Sequence, residues 1–385
     1  MQRKAGLDFL KAKNLGVLTG VALPRYLGES VERLGMTTAK EGKGGEREVV
    51  DLQEVAHELT TATMGKMAYD MEMHADDDFT LAFEHASGAT AERFQNPLWR
   101  FTEMFTGAKL RTSLKTVKSF GQTIVGNAVS QRKLSAEDIP KEDKVDEVSG
   151  SLINSLLDAI EDEKLVADAA LNYLSAGRDT VAQALTWTFY LLIKHPTVLS
   201  RLRQSVIDSN PGFQQENPSE ASMRAHLTPD NLAPAKFPYI LAIFNESLRL
   251  YPPVPFEIKQ VQRDCTLPDD TFLPASSVVV WCPWAMNRSA ATWGPDAEEF
   301  RPERWLSEDG TKILIKSAAV FPVFNGGARL CLGKKMAESM AVLVIATWAM
   351  LFDFEKAFEG NRTTGSSLTL PMEGGLPVYV KMRSL

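Results

Sequence analysis

Cysteine is scarce in this 385-residue chain: Cys265, Cys282 and Cys331 are too few, and odd in number, for a disulfide framework, and they fit a reducing compartment. Long hydrophobic runs are missing too. The longest, over 340–352, falls short of the about 20 residues that a bilayer-spanning helix needs. No apolar stretch follows the charges of Gln2-Arg3-Lys4, so the start does not read as a signal peptide. Basic runs interleaved with aromatics are absent and the net charge is -7, which argues against nucleic acid as a partner. The five histidines, His57, His74, His85, His195 and His226, have no metal-ligand spacing. No G-x-G-x-x-G follows a strand pattern, so neither flavin nor nicotinamide is expected on this chain. There is no internal repeat and no low-complexity tract. What is present is 44% hydrophobic and 24% charged, the balance of a soluble globular protein with enough chain for a large core.

The pattern along the chain is mostly helical. Residues 1–35 read as helix broken near Pro24, and a polar loop follows over 37–47. Asp51 reads as an N-cap with an acidic first turn, opening a helix to about Ala68. Further helices are expected over 79–88 and 110–133, then an exposed charged linker over 134–147. The segment 93–101 between them breaks at Pro97 and is rich in aromatics. The longest helical pattern runs over 161–195 and stops at Pro196. Inside it lies Ala176-Gly177-Arg178-Asp179-Thr180, a run of poor helix formers that suggests a bulge. A polar, proline-bearing loop is expected over 205–232 and a helix over 238–250. That last helix carries Glu246 and Arg249 on one face at i, i+3 spacing. Strands are expected at 256–264 and 277–281, and two extended runs around Glu373-Gly374-Gly375 read as a terminal hairpin.

The most informative stretch is Phe324-Asn325-Gly326-Gly327-Ala328-Arg329-Leu330-Cys331-Leu332-Gly333. Cys331 sits in a loop feeding a helix, where free backbone N–H groups and the helix dipole favour a thiolate. A thiolate held this way is a strong haem-iron ligand, and haem with a cysteine axial ligand activates dioxygen. Gly327 and Gly333 would let a flat macrocycle come close, Arg329 would bind a propionate, and Phe324 would shield the sulfur. The plainer alternative is a buried structural thiol.

The spacing F-x-x-G-x-R-x-C-x-G, together with the upstream motifs, resembles the haem-thiolate monooxygenases of the cytochrome P-450 family. The resemblance is most complete from Glu161 to Leu385. It implies a mainly α fold with a small β-rich part, in one domain over 1–385 that lacks the family's N-terminal portion. It also implies that Thr180 and Asp179 handle protons beside a dioxygen-binding groove, with Ala176, Val254 and Phe256 toward the substrate. The alternative for Thr180 is a hydroxyl bonded to the carbonyl one turn back. Arg304 of the Phe300-to-Trp305 stretch matches the third member of a buried structural cluster with Glu246 and Arg249. Arg3 and Lys259 match propionate-binding positions, although the family usually has arginine where Lys259 stands, and Arg3 has the alternative of an exposed terminal residue. Asn287 stands where relatives often have histidine. In related hydroxylases a stretch like 93–101 caps the substrate channel; packing onto its own helices is the alternative.

From the stretches 294–305 and 368–372, the nearest likeness is to fungal long-chain alkane and fatty-acid hydroxylases. The implied cofactor is haem iron and the implied electron donor a separate NADPH-cytochrome reductase. Arg329, Lys334 and Lys335 would offer that donor a docking surface, or be ordinary solvated residues. The implied location is the cytosolic face of the endoplasmic reticulum membrane, with no anchor in this chain. Two rival readings stand beside this one: a truncated product that binds haem poorly and is inactive, and a haem-binding protein without turnover.

Overall fold

Helix α9, Glu163–Lys194, organises the molecule. Asp162 caps it by accepting from the backbone N–H groups of Lys164 (2.9 Å) and Leu165 (3.4 Å), and Pro196 stops it after His195. Most of its second half is buried on every side, because other helices pack round it. The computed structural model describes residues 2–39, 47–135, 149–209 and 227–383. Within them, α1 (Gln2–Phe9), α2 (Ala12–Val17) and α3 (Leu23–Ala39) lead through α4 (Leu52–Met64), α5 (Asp78–Gln95), α6 (Trp99–Thr106), α7 (Ala108–Ser135) and α8 (Ser151–Ala159) to α9. Helices α10 (Pro196–Ser209), α11 (Pro238–Leu250) and α12 (Lys334–Leu351) complete the helical layer. Helix α9 packs against α4, α7, α8, α11 and α12, and one contiguous hydrophobic core runs from Ala5 to Val378.

The strands are short and all pairings are antiparallel. Strands β1 (Val49–Asp51) and β6 (Phe352–Lys356) flank β7 (Pro377–Met382), so the two ends of the described chain share one sheet. Strand β2 (Glu257–Gln260) pairs with β5 (Val278–Trp281), with Lys259 opposite Val279. Strands β3 (Cys265–Thr266) and β4 (Phe272–Leu273) form a small ribbon. The mainly α fold with a small β part is therefore what the chain adopts.

Several local expectations change. The break expected at Pro24 comes earlier, at Leu10-Lys11 and in a π-helical turn over Leu18–Ala22; Pro24 follows directly on that turn, a local change of pairing of the kind that accommodates a proline within a continuous helix. Helix α5 continues through Gly88 to Gln95 and ends just before Asn96-Pro97. Helix α10 extends to Ser209, into what was expected as loop, while 210–226 lies outside the described residues, as do most of 37–47 and the linker beyond Ser135. The terminal hairpin is not formed. The Gly374-Gly375 turn presses on Asp51, whose Oδ1 accepts from Leu376 N at 2.7 Å, and β7 pairs with β1 and β6 instead. The run before the turn makes only one isolated bridge, Thr364 to Met372.

Candidate active site

The cysteine loop is built from two short turns, Pro322–Phe324 and Gly327–Arg329, and ends at Gly333, the N-cap of α12. Cys331 N–H donates to the Phe324 carbonyl at 2.7 Å and closes the loop. Asn325 at φ 58°, ψ −169° and Gly327 at φ 57° supply the two positive-φ residues the path requires; glycine reaches positive φ without a Cβ penalty, whereas Asn325 holds a conformation otherwise almost confined to glycine. Two side chains then tie the loop to the rest of the molecule. Asn325 Nδ2 donates to Glu257 Oε1 of β2 at 2.8 Å, and Arg3 Nη2 of α1 donates to the Leu330 carbonyl at 2.8 Å. Neither Asn325 nor Glu257 stood out in the sequence; an asparagine before two glycines was the available signal for the first.

Cys331 is accessible to solvent in a concave surround. Burial pushes its thiol up, and the backbone N–H groups of Gly333 and Lys334 with the charge of Arg3 pull it back only in part. The helix start expected to favour a thiolate does not suffice by itself, because enclosure by protein outweighs two N–H donors. A metal ion at the sulfur would deprotonate it outright.

The surroundings of Cys331 fit a haem. A Cβ placed on Gly327 or Gly333 would meet no atom within 4 Å, so a flat group has room to approach there. Leu330 is 43% exposed and Phe256, next to the Glu257 that anchors the loop, is 60% exposed, leaving apolar surface open beside the thiol. Arg329 is exposed and has no side-chain partner among the described residues. Lys259 lies on the exposed β2 strand with its Nζ 4.9 Å from the centroid of the Trp281 ring. Phe324 stands edge-on to Phe321, and Lys334 Nζ lies 5.4 Å over its ring.

Helix α9 packs on α12, the helix that the cysteine loop feeds. Ala176 is exposed and Thr180 half-buried, one turn apart, just ahead of the buried second half of α9. The expected bulge is not there. The backbone is α-helical throughout, and Thr180 Oγ1 donates to the Ala176 carbonyl at 2.6 Å. Gly177 has a different reason: a Cβ there would stand 2.6 Å from Met64 Sδ, so its lack of a side chain lets α4 close on α9. Asp179 is buried, accepting from Arg178 Nε at 2.6 Å and from Ser175 Oγ at 3.1 Å. Arg178, only 1% exposed, was missed as a site residue, although an arginine directly before an aspartate in an apolar helix was a visible signal. Its Nη1 and Nη2 have no hydrogen-bond partner. Val254 is half-buried just ahead of Phe256.

Glu246, Arg249 and Arg304 meet in one cluster. Arg249 forks onto Glu246 through Nε (2.8 Å) and Nη2 (2.9 Å), and Arg304 Nε donates to the same carboxylate at 2.8 Å. Arg301 N and Trp305 Nε1 complete it, each at 2.9 Å. Arg249 also donates to the carbonyls of Asn287, Ala297 and Glu299, so α11 is bolted to the irregular segment 287–305. Asn287 itself is fully buried, and neither of its side-chain polar atoms has a partner.

Two features lie apart from the cysteine. A cavity of about 860 Å³ opens on another face of α9, the one carrying Asp179 and Gln183. At the junction of α5 and α6, Phe94, Leu98, Phe101, Met104 and Phe105 are each at least 64% exposed, while Arg93 pairs with Glu103 and lies over the Trp99 ring, so the stretch is tied to its own helices but leaves its apolar side chains uncovered.

These observations agree with comparisons to known proteins. The family model described as cytochrome P-450 matches residues 27–372. Cytochrome P-450 94C1 of Arabidopsis thaliana is 32% identical over 87% of this chain and 66% of its own length. Cytochrome P-450 94A1 of Vicia sativa is 30% identical over 87% of this chain and 64% of its own. The cytochrome P-450 monooxygenase cyp1 of Mycosarcoma maydis is 30% identical over 92% of this chain and 56% of its own. The chain thus spans less than two thirds of the length of these relatives. With a cysteine loop that fits a haem and a family match over most of its residues, the chain belongs to the cytochrome P-450 family.

Proposed function

We propose that residues 1–385 act as one haem-dependent monooxygenase domain that inserts one atom of dioxygen into an apolar substrate, a long-chain fatty acid or alkane. The observation that carries this reading is the placement of Cys331, in a closed turn at the head of α12 and tied to both α1 and β2. A haem bound through a cysteine thiolate supplies dioxygen activation. Cys331 holds the iron, Gly327 and Gly333 leave the macrocycle its space, and Phe324 limits water at the sulfur. Arg329, Arg3 and Lys259 bind the propionates; Lys259 does so as a point charge, without the bidentate fork of arginine. Thr180 and Asp179 move protons on the α9 side, and Ala176, Val254 and Phe256 line the substrate's approach. Glu246, Arg249 and Arg304 hold the fold and take no part in chemistry.

Electrons come from a separate NADPH-cytochrome reductase. No helix among the described residues is long and apolar enough to cross a membrane. The exposed apolar side chains at the α5–α6 junction support a peripheral contact with the endoplasmic reticulum membrane on its cytosolic face. A second reading, a family member that holds haem poorly and is inactive, is favoured by one observation: Ile258, Val278 and Val280 leave the β2–β5 pair apolar and open. A carbon monoxide difference spectrum of the reduced protein, with haem counted per chain, separates the two. Full loading with the thiolate signature and hydroxylation of a long-chain fatty acid support the first; haem well below one per chain and no product support the second.

A further inference from the structure

The cavity beside Asp179 is walled by α3, α4, α5 and α9, and the segment 366–371 closes one side. Gln183 holds that segment in place: its Nε2 donates to Thr369 Oγ1 at 2.8 Å and its Oε1 accepts from Leu370 N at 2.9 Å. Carboxylates dominate the lining, and several are committed elsewhere. Asp51 caps α4 and accepts from Leu376 N. Glu58 holds His74 Nδ1 and Ala75 N, both at 2.7 Å, and Glu54 faces Arg33 at 3.8 Å.

Glu84 of α5 is different. It has no hydrogen bond or ion pair among the described residues, and its carboxyl is open to the cavity's water although protein surrounds it. The charges of Arg178 and Asp179 act on it and also on His57 of α4. Glu84, His57 and Asp179 all line this cavity, and Arg178 donates to Asp179 within its wall. Inside that wall, His57 Nδ1 and both Nη atoms of Arg178 are buried without partners, so donors and acceptors stand ready for water or for a carboxylate that changes its protonation. Burial raises the Glu84 carboxyl above its ordinary range and lowers His57 to about 4, so the shift on Glu84 is toward holding a proton and that on His57 toward losing one.

We propose that this acidic cavity is the solvent end of a proton path to Asp179, and that Glu84 is the positioning residue that hands protons on. The inference rests on the monooxygenase reading, in which Asp179 serves the oxygen chemistry beside Thr180. In the step, the O–H bond of protonated Glu84 breaks and the proton passes through cavity water to an Asp179 carboxylate oxygen, where a new O–H bond forms. Asp179 passes it toward Thr180, and Glu84, left as carboxylate, regains a proton from bulk solvent. No electrons move in this step.

The test uses the haem-loaded full chain with its reductase, as wild type, Glu84→Gln and Glu84→Asp. Glu84→Gln is expected to lower product per NADPH consumed by about tenfold, less than the range for a direct general acid, while Glu84→Asp recovers to within about twofold of wild type. The pH profile of coupling should also move in Glu84→Gln, with His57, Glu54, Glu58, Arg178 and Asp179 unchanged around it. A readout independent of turnover comes from infrared spectroscopy of the resting protein. A protonated-carboxyl band should vanish in Glu84→Gln and shift in Asp179→Asn. A wild type that turns over with coupling unchanged in Glu84→Gln would overturn the path alone. A missing band, or one unmoved by Asp179→Asn, would do so whatever the turnover. A wild type that makes no product would overturn the monooxygenase reading and the path with it.

Discussion

Replacing Arg249 by alanine tests the structural cluster at its centre. Arg249 is 0% exposed and makes five hydrogen bonds: two to Glu246 and one each to the carbonyls of Asn287, Ala297 and Glu299. The truncation leaves three buried carbonyls short of a donor, at about 1–3 kcal/mol each if nothing replaces it. It also breaks a buried ion pair, which typically costs about 3–5 kcal/mol. These terms overlap, and Glu246 keeps Arg304, Arg301 N and Trp305 Nε1, so the expected loss is about 4–5 kcal/mol. Against a total stability of about 5–15 kcal/mol, that loss should leave much of the chain unfolded or insoluble. Urea unfolding followed by circular dichroism measures it, with Arg249→Lys as a variant that keeps the charge and part of the donor set. Arg47→Ala, which breaks an exposed pair with Glu355, should leave the midpoint unmoved. A loss below about 1 kcal/mol for Arg249→Ala would refute the reasoning, because that is the scale of a surface pair.

Cys331→Ala should abolish the thiolate-ligated Soret signature in a carbon monoxide difference spectrum, while Cys265→Ala and Cys282→Ala leave it intact. Thr180→Ala should lower product per electron and release more hydrogen peroxide, with thermal stability within about 1 kcal/mol of wild type, since among the described residues its hydroxyl bonds only to a carbonyl of its own helix. Unchanged coupling would reduce Thr180 to that helical role. Gly327→Ala should cost about 1–2 kcal/mol through backbone strain alone, because φ is 57° and the space for the methyl group is open. His57 makes stability depend on pH. Its folded pKa of about 4 lies below the unfolded value near 6.5, so its contribution is present above about pH 6.5 and lost as pH falls toward 4. An acid unfolding series should lose that segment of slope in His57→Leu; an unchanged slope would show that another group titrates there.

The parts of the fold that were legible are those in which local chemistry and packing agree. Asp162 before a long apolar run and Pro196 after it mark α9 to within two residues. Asp51 marks α4, and Glu246 with Arg249 announces a buried face because leucine and phenylalanine surround them. The failures have a common physical cause. Gly177 looked like a weakness within its own helix, but its lack of a side chain is answered by Met64 of another helix. Gly374 and Gly375 looked like a local turn joining two strands, yet the strand after them takes its partners from residues 49–51 and 352–356. Arg3 carried an open alternative, and its bond to Leu330 is a contact across 327 positions that no local pattern contains. Around the thiol, spacing located Cys331, but the balance between enclosure and N–H donors needed the packed loop.

That bond from Arg3 to Leu330 also sets a schedule for synthesis. A ribosome adding about 5–20 residues per second needs roughly 15–65 s to make the 327 residues between them. Helix α1 packs on α8, which is made well before the cysteine loop, so it is the Arg3 bond, and not the cover over Ala5 and Phe9, that waits the whole interval. Strand β1 waits about as long, since its register sets Val50 opposite Val378. The cysteine loop therefore meets both of its braces already made, Glu257 of β2 and Arg3 of α1.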